Sequence, residues 1–147
     1  MIGIVLIGHE RIASEMLSAM EHVVGKQPLI ETLDVYDNVP PDELTRLLKA
    51  KIRACDIGQG VLLLADMFGG TPCNIAMGCL CGGHVEVVSG FNLPLLIKAA
   101  GLRNQQSDLE QLAGQVVESG RMYMRVAPHL RDTSDTGSYA AVGDNDG

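Results

Sequence analysis

A chain of 147 residues, 46% of them apolar, has enough to bury one substantial core, and at only 3% aromatic that core is aliphatic. A net charge of −7 leaves no basic face for a nucleic-acid backbone. No apolar run approaches the ~20 residues of a membrane span, and Met1 leads into strand-like sequence with no basic leader, so a soluble cytoplasmic protein is expected.

The run Ile2-Gly3-Ile4-Val5-Leu6-Ile7 reads as a buried strand. Gly8 reads as the turn after it, and Glu10 to Val24 as an amphipathic helix closed by Gly25. Ile30 to Val35 is the second strand. Pro41-Asp42-Glu43 opens a helix with proline and acids in its first turn, and Leu44, Leu47, Leu48 and Ile52 give it an apolar stripe. Gly60 to Asp66 (GVLLLAD) is apolar on both faces, the mark of a central parallel strand. Phe68-Gly69-Gly70-Thr71-Pro72 forms a loop, with Thr71 as N-cap and Pro72 as first residue of a helix running to about Cys81.

Val85 to Ser89 is the fourth strand, and Asn92 and Pro94 start another helix. Asp108 to Ser119 is a further helix, capped at Ser107. Met122 to Val126 alternates weakly and reads either as a last, antiparallel strand or as the end of a helix. Residues 1–130 are therefore expected to form one domain. Residues 131–147, rich in Asp, Ser, Thr and Gly, read as a disordered acidic tail. Cys55, Cys73, Cys79 and Cys81 lack the spacing of zinc or redox pairs and read as buried thiols, so neither metal nor cofactor is expected.

Alternating strands and helices predict an α/β fold, doubly wound, with a mostly parallel sheet of order 2-1-3-4 and helices on both faces. Such sheets bind ligands at the carboxyl ends of strands 1 and 3, where the winding reverses. His9 follows strand 1 and Asp66 ends strand 3, so the topology makes them neighbours. Asp66 can then fix the tautomer of His9 and leave the other ring nitrogen's lone pair facing outward. Gly69, Gly70 and Thr71 can supply N–H groups and a hydroxyl to an oxyanion. Each part alone has a structural reading: a histidine that caps a helix, an acid that pairs locally, an ordinary glycine turn. Their convergence on one crevice favours chemistry. His22, His84 and His129 lack such a setting. The chain shows no nucleophile elbow, Walker loop or flavin loop, and Cys73 reads as a packing residue. Phosphorylation of His9 fits best, because imidazole is both a good nucleophile and a good leaving group near neutral pH.

The segment Gly3-Ile4-Val5-Leu6-Ile7-Gly8-His9, followed by Leu64-Ala65-Asp66-Met67-Phe68-Gly69-Gly70-Thr71-Pro72-Cys73-Asn74, resembles the IIA domain of the mannose-type sugar phosphotransferase system. Val88-Ser89-Gly90-Phe91-Asn92-Leu93-Pro94-Leu95-Leu96 resembles the same family's segment after strand 4, and the likeness runs to about residue 127. The resemblance implies a cytoplasmic phosphocarrier, a phosphotransferase with a phosphohistidine intermediate. It would receive phosphate from HPr on His9 and pass it to a separate IIB protein, with any contact to membrane permease subunits peripheral. Nε2 would carry the phosphate, Asp66 would hold Nδ1–H, and Thr71 with its neighbours would stabilise the phosphoryl group. It also implies a homodimer that exchanges the last strand. A regulatory module reporting phosphotransferase flux, or a subunit serving a dihydroxyacetone kinase, would share these features. The family commonly has glycine after the histidine, where this chain has Glu10, whose carboxylate suits a helix's first turn and repels an incoming phosphoryl group.

Overall fold

The computed structural model describes residues 1–80 and 84–127, so Cys81, His129 and the expected tail lie outside the described residues. Four strands, β1 (Gly3–His9), β2 (Ile30–Val35), β3 (Val61–Ala65) and β4 (Val85–Ser89), form one sheet of order β2-β1-β3-β4. Every pairing is parallel, with Leu6 opposite both Thr32 and Leu64 and Leu63 opposite Val87. Among the described residues five helices cover it: α1 (Ile12–Val24), α2 (Pro41–Cys55), α3 (Thr71–Met77), α4 (Leu93–Leu102) and α5 (Leu109–Met122).

Successive strand residues face opposite sides, so the apolar runs divide into two cores. Ile4, Leu6, Leu62, Leu64 and Val88 pack with Ala13 and Met20 of α1, Leu95 and Leu96 of α4, and Leu112 and Val116 of α5. Val5, Ile7, Leu33, Leu63 and Ala65 pack with Leu44 and Leu48 of α2 and Cys73 and Ala76 of α3. His9 shares the parity of Val5 and Ile7. That parity sends its side chain to the α2/α3 side, where the chain re-enters from β3.

β1 is longer than expected. Its ladder continues through Gly8 opposite Asp34 and His9 opposite Val35, and the Glu10 N–H then donates to the Val35 carbonyl at 2.9 Å. Gly8 therefore does not turn the chain. It permits a close approach, because a Cβ there would collide with Ile12 Cγ2 and stand 3.3 Å from Asp66 Cβ and Cγ. The reversal falls on Glu10, whose φ of 51° lies in the left-handed region, at a cost of about 1 kcal/mol against glycine. Helix α1 consequently begins at Ile12 rather than Glu10.

Arg11 gives α1 no side-chain cap. Asp34 on β2 does so from outside, accepting the Ser14 N–H at 3.0 Å and the Ser14 hydroxyl at 2.6 Å. An anion at the donors of a helix's first turn is stabilising. Asp34→Ala is expected to cost about 1–2 kcal/mol, read as a lower urea midpoint at unchanged slope; an unchanged midpoint would remove this role.

Three other expectations change. Gly70, not Thr71, is the N-cap of α3, and the helix ends at Met77, short of Cys81. Asp108, not Ser107, caps α5 by accepting the Gln111 N–H at 3.1 Å. Its helical period of buried residues, Leu112, Val116, Ser119 and Gly120, carries on to Met122. Residues 123–126 then form no strand, since they find no strand neighbour among the described residues.

Candidate functional site

His9 ends β1 and Asp66 follows β3, side by side at the carboxyl end of the sheet. The bond that joins them spans 57 positions of sequence: Nδ1 of His9 lies 2.7 Å from Asp66 Oδ2. The same oxygen accepts the His9 backbone N–H at 2.9 Å, and Oδ1 accepts the Met67 N–H at 2.9 Å. Burial pushes the Asp66 carboxyl up, but the backbone and ring N–H groups of His9, with the Met67 N–H, outweigh it and hold the group below its usual range. An ionised carboxylate accepts only, so Nδ1 carries the proton and the Nε2 lone pair is left free. The Asp66 side chain is 8% exposed and that of His9 46%. The carboxylate is thus sheltered while the imidazole meets solvent, and Nε2 has no hydrogen-bond partner among the described residues.

Gly69 and Gly70 bring the start of α3 to this imidazole. Gly69 takes φ 85°, open to glycine without strain. A Cβ on Gly70 would stand 2.8 Å from His9 Cε1 and 3.4 Å from Nε2. Any side chain there would push the ring away, so the glycine permits the α3 terminus to lie against the open nitrogen. The N–H groups of Gly69, Gly70 and Thr71 donate to no described residue, and α3 has no side-chain cap. Thr71 is exposed as the first residue of the helix. Free donors at a helix start suit an anion. The start of α1, by contrast, is already occupied by Asp34.

All five predicted site residues, His9, Asp66, Gly69, Gly70 and Thr71, therefore fall in one region. His22 is exposed on α1, and His84 precedes β4, its carbonyl accepting the Val61 N–H at the opposite end of the sheet. Cys73 is buried. Sequence reasoning missed Asp34 as the cap of α1; the signal was an acid between Leu33 and Val35, at the carboxyl end of a strand beside β1. It also missed that a Cβ at Gly8 would collide with Ile12 and one at Gly70 with the His9 ring. Met67 and Phe68 are 54% and 75% exposed beside the site.

A family model described as the PTS system fructose IIA component, EIIA-man, matches residues 3–117. The chain belongs to this family of phosphotransferase-system IIA components. The mannose-specific EIIAB component of Escherichia coli K12 is 30% identical over 121 residues, which is 82% of this chain and 38% of that protein. This IIA chain thus spans well under half the length of that relative. A solved mannose/sorbose-specific IIA subunit from Enterococcus faecalis is 28% identical, with a TM-score of 0.68 over 85% of this chain and 93% of that one. The EIIA component from Streptococcus agalactiae shares the fold at a TM-score of 0.80, covering 88% of this chain and 99% of that one at 22% identity. No helix among the described residues is long and apolar enough to cross a membrane.

Proposed function

We propose that this IIA component is a cytoplasmic phosphocarrier that takes a phosphoryl group from HPr on His9 and hands it to a IIB component. One observation carries the reading: Nδ1 is held by Asp66 at 2.7 Å while Nε2 stands open beside the uncapped start of α3. The Nε2 lone pair attacks the phosphorus of the donor's phosphohistidine in line. The donor's P–N bond breaks, and its electron pair returns to the donor ring. The proton on Nδ1 stays in place throughout. The positive charge that the His9 ring gathers faces the Asp66 carboxylate, which stabilises it without moving. Thr71 and the N–H groups of Gly69 and Gly70 are assigned to the phosphoryl oxygens. The remaining barrier is lowered by alignment, and exposed Met67 and Phe68 offer an apolar rim to a protein partner.

Incubation with phosphoenolpyruvate, enzyme I and HPr tests the reading. The expected product carries one acid-labile, base-stable phosphate on the peptide containing His9. No phosphate, or phosphate elsewhere, overturns it.

The reading includes a homodimer. β4 is an edge strand, Val87, Val88, Ala113 and Val117 line a groove beside it, and Met122, Tyr123, Met124 and Val126 expose apolar surface nearby in sequence. A second copy covering this face removes both the open edge and the exposed side chains. Sedimentation equilibrium at micromolar concentration is expected to give twice the 15.7 kDa chain mass; a single species of chain mass would exclude the dimer.

A further inference from the structure

Among the described residues, two non-glycine residues hold left-handed backbone, Glu10 at φ 51° and Leu29 at φ 54°. That conformation is costly for an L-residue and persists where the surroundings impose it. At Leu29 the reason is visible. Its carbonyl accepts the Ile4 N–H at 3.0 Å and the buried Arg103 guanidinium at 3.2 Å, and Arg103 also holds the carbonyls of Ile2 and Pro28. At Glu10 the backbone N–H bonds Val35, as a glycine there would do equally well. The Glu10 side chain is exposed and forms no hydrogen bond or ion pair with any described residue. Among the described residues nothing uses this carboxylate, yet it is bonded through one peptide unit to His9.

We propose that Glu10 sets how readily His9 gives up its phosphoryl group, acting through its charge on the phosphoryl group that His9 carries. The inference rests on the phosphocarrier reading. Glu10 reacts with nothing and touches no substrate atom. Its negative charge repels the phosphoryl dianion and has no such target when His9 is bare, so it disfavours only the loaded state. Loading from a donor is weakened, and unloading to an acceptor is strengthened by the same factor. A carboxylate and a dianion separated by about 8 Å of water, at a Debye length of similar size, give about a two- to fivefold change in the exchange equilibrium.

The test uses the full chain and its Glu10→Gln, Glu10→Lys and Glu10→Gly variants. Each is equilibrated with phosphorylated HPr, and the phosphorylated fraction is read by intact mass at 0.05 M and 1 M salt. At low salt, Glu10→Gln is expected to raise the loading constant about two- to fivefold and Glu10→Lys further. All are expected to approach wild type at high salt, where the Debye length falls to about 3 Å. Glu10→Gly should load like Glu10→Gln and also melt at a higher temperature, because its backbone strain is gone. Equal constants for wild type, Glu10→Gln and Glu10→Lys at low salt overturn the proposal, as does a difference that salt leaves unchanged, which would indicate packing. A wild-type chain that accepts no phosphate on His9 defeats the phosphocarrier reading itself. Loading on His9 with indifferent variants defeats the Glu10 proposal alone.

Discussion

A His9→Ala chain is expected to take no phosphate from HPr and to keep the wild-type fold. The imidazole offers the one ring-nitrogen lone pair at the carboxyl end of the sheet among the described residues, open beside the start of α3. His22 is exposed on α1, His84 sits at the other end of β3, and the Cys73 thiol is buried. None can replace Nε2 beside the start of α3. The stability cost is small because the His9 ring is half exposed and packs in neither core. Asp66 keeps two of its three N–H donors, the backbone groups of residue 9 and Met67, so its charge is not stranded. The loss is one charge-assisted hydrogen bond at the surface, about 1–2 kcal/mol. Intact mass after incubation reads the phosphate, and circular dichroism with urea unfolding reads the fold. A phosphate that persists in His9→Ala would move the reactive group elsewhere; a collapsed urea midpoint would make the histidine structural.

The pairing of His9 with Asp66 was legible because it follows from topology. Continuous apolar runs marked β1 and β3 as buried parallel strands, the alternation of strands and helices implied a parallel sheet whose common small version has the order β2-β1-β3-β4, and that order brings the two strand ends together. What stayed hidden depended on local geometry. Gly8 reads in sequence as a turn, yet it lies in β1, and its absent side chain makes room for Ile12, with Asp66 close beside it. The left-handed turn falls on Glu10, a residue type that gives no warning of positive φ. Thr71 has the chemistry of a cap, but the helix starts one residue earlier, and the cap position falls on Gly70, which lies against the His9 ring. The cap of α1, Asp34, comes from another strand, so nothing in the local sequence of the helix announces it. Residues 123–126 pair with no strand among the described residues, so their alternation has no structural consequence there.

Asp66→Asn is expected to slow phosphoryl transfer by on the order of 10²-fold or more and to destabilise the fold by about 1–3 kcal/mol. The two effects share a cause. Asp66 accepts three N–H groups and offers none. An asparagine oxygen in place of Oδ2 can still take both His9 donors, but the amide nitrogen then faces the Met67 N–H, donor against donor. Turned over, it meets the His9 N–H instead. Either way one sheltered donor is unpaired, and the charge opposite the His9 ring is lost just where phosphorylation makes that ring positive. The pH dependence separates charge from shape. The Asp66 carboxyl titrates below its ordinary value of 3.8 in the folded chain, so its contribution to stability is complete above that value and disappears as pH falls through the folded one. The stability gap between wild type and Asp66→Asn should therefore narrow as pH falls below about 4, as followed by urea unfolding. A gap that ignores pH would leave geometry alone as the cause. A variant that transfers at the wild-type rate would free Asp66 from the mechanism, and His9 would then act as an imidazole oriented only by its place at the end of β1.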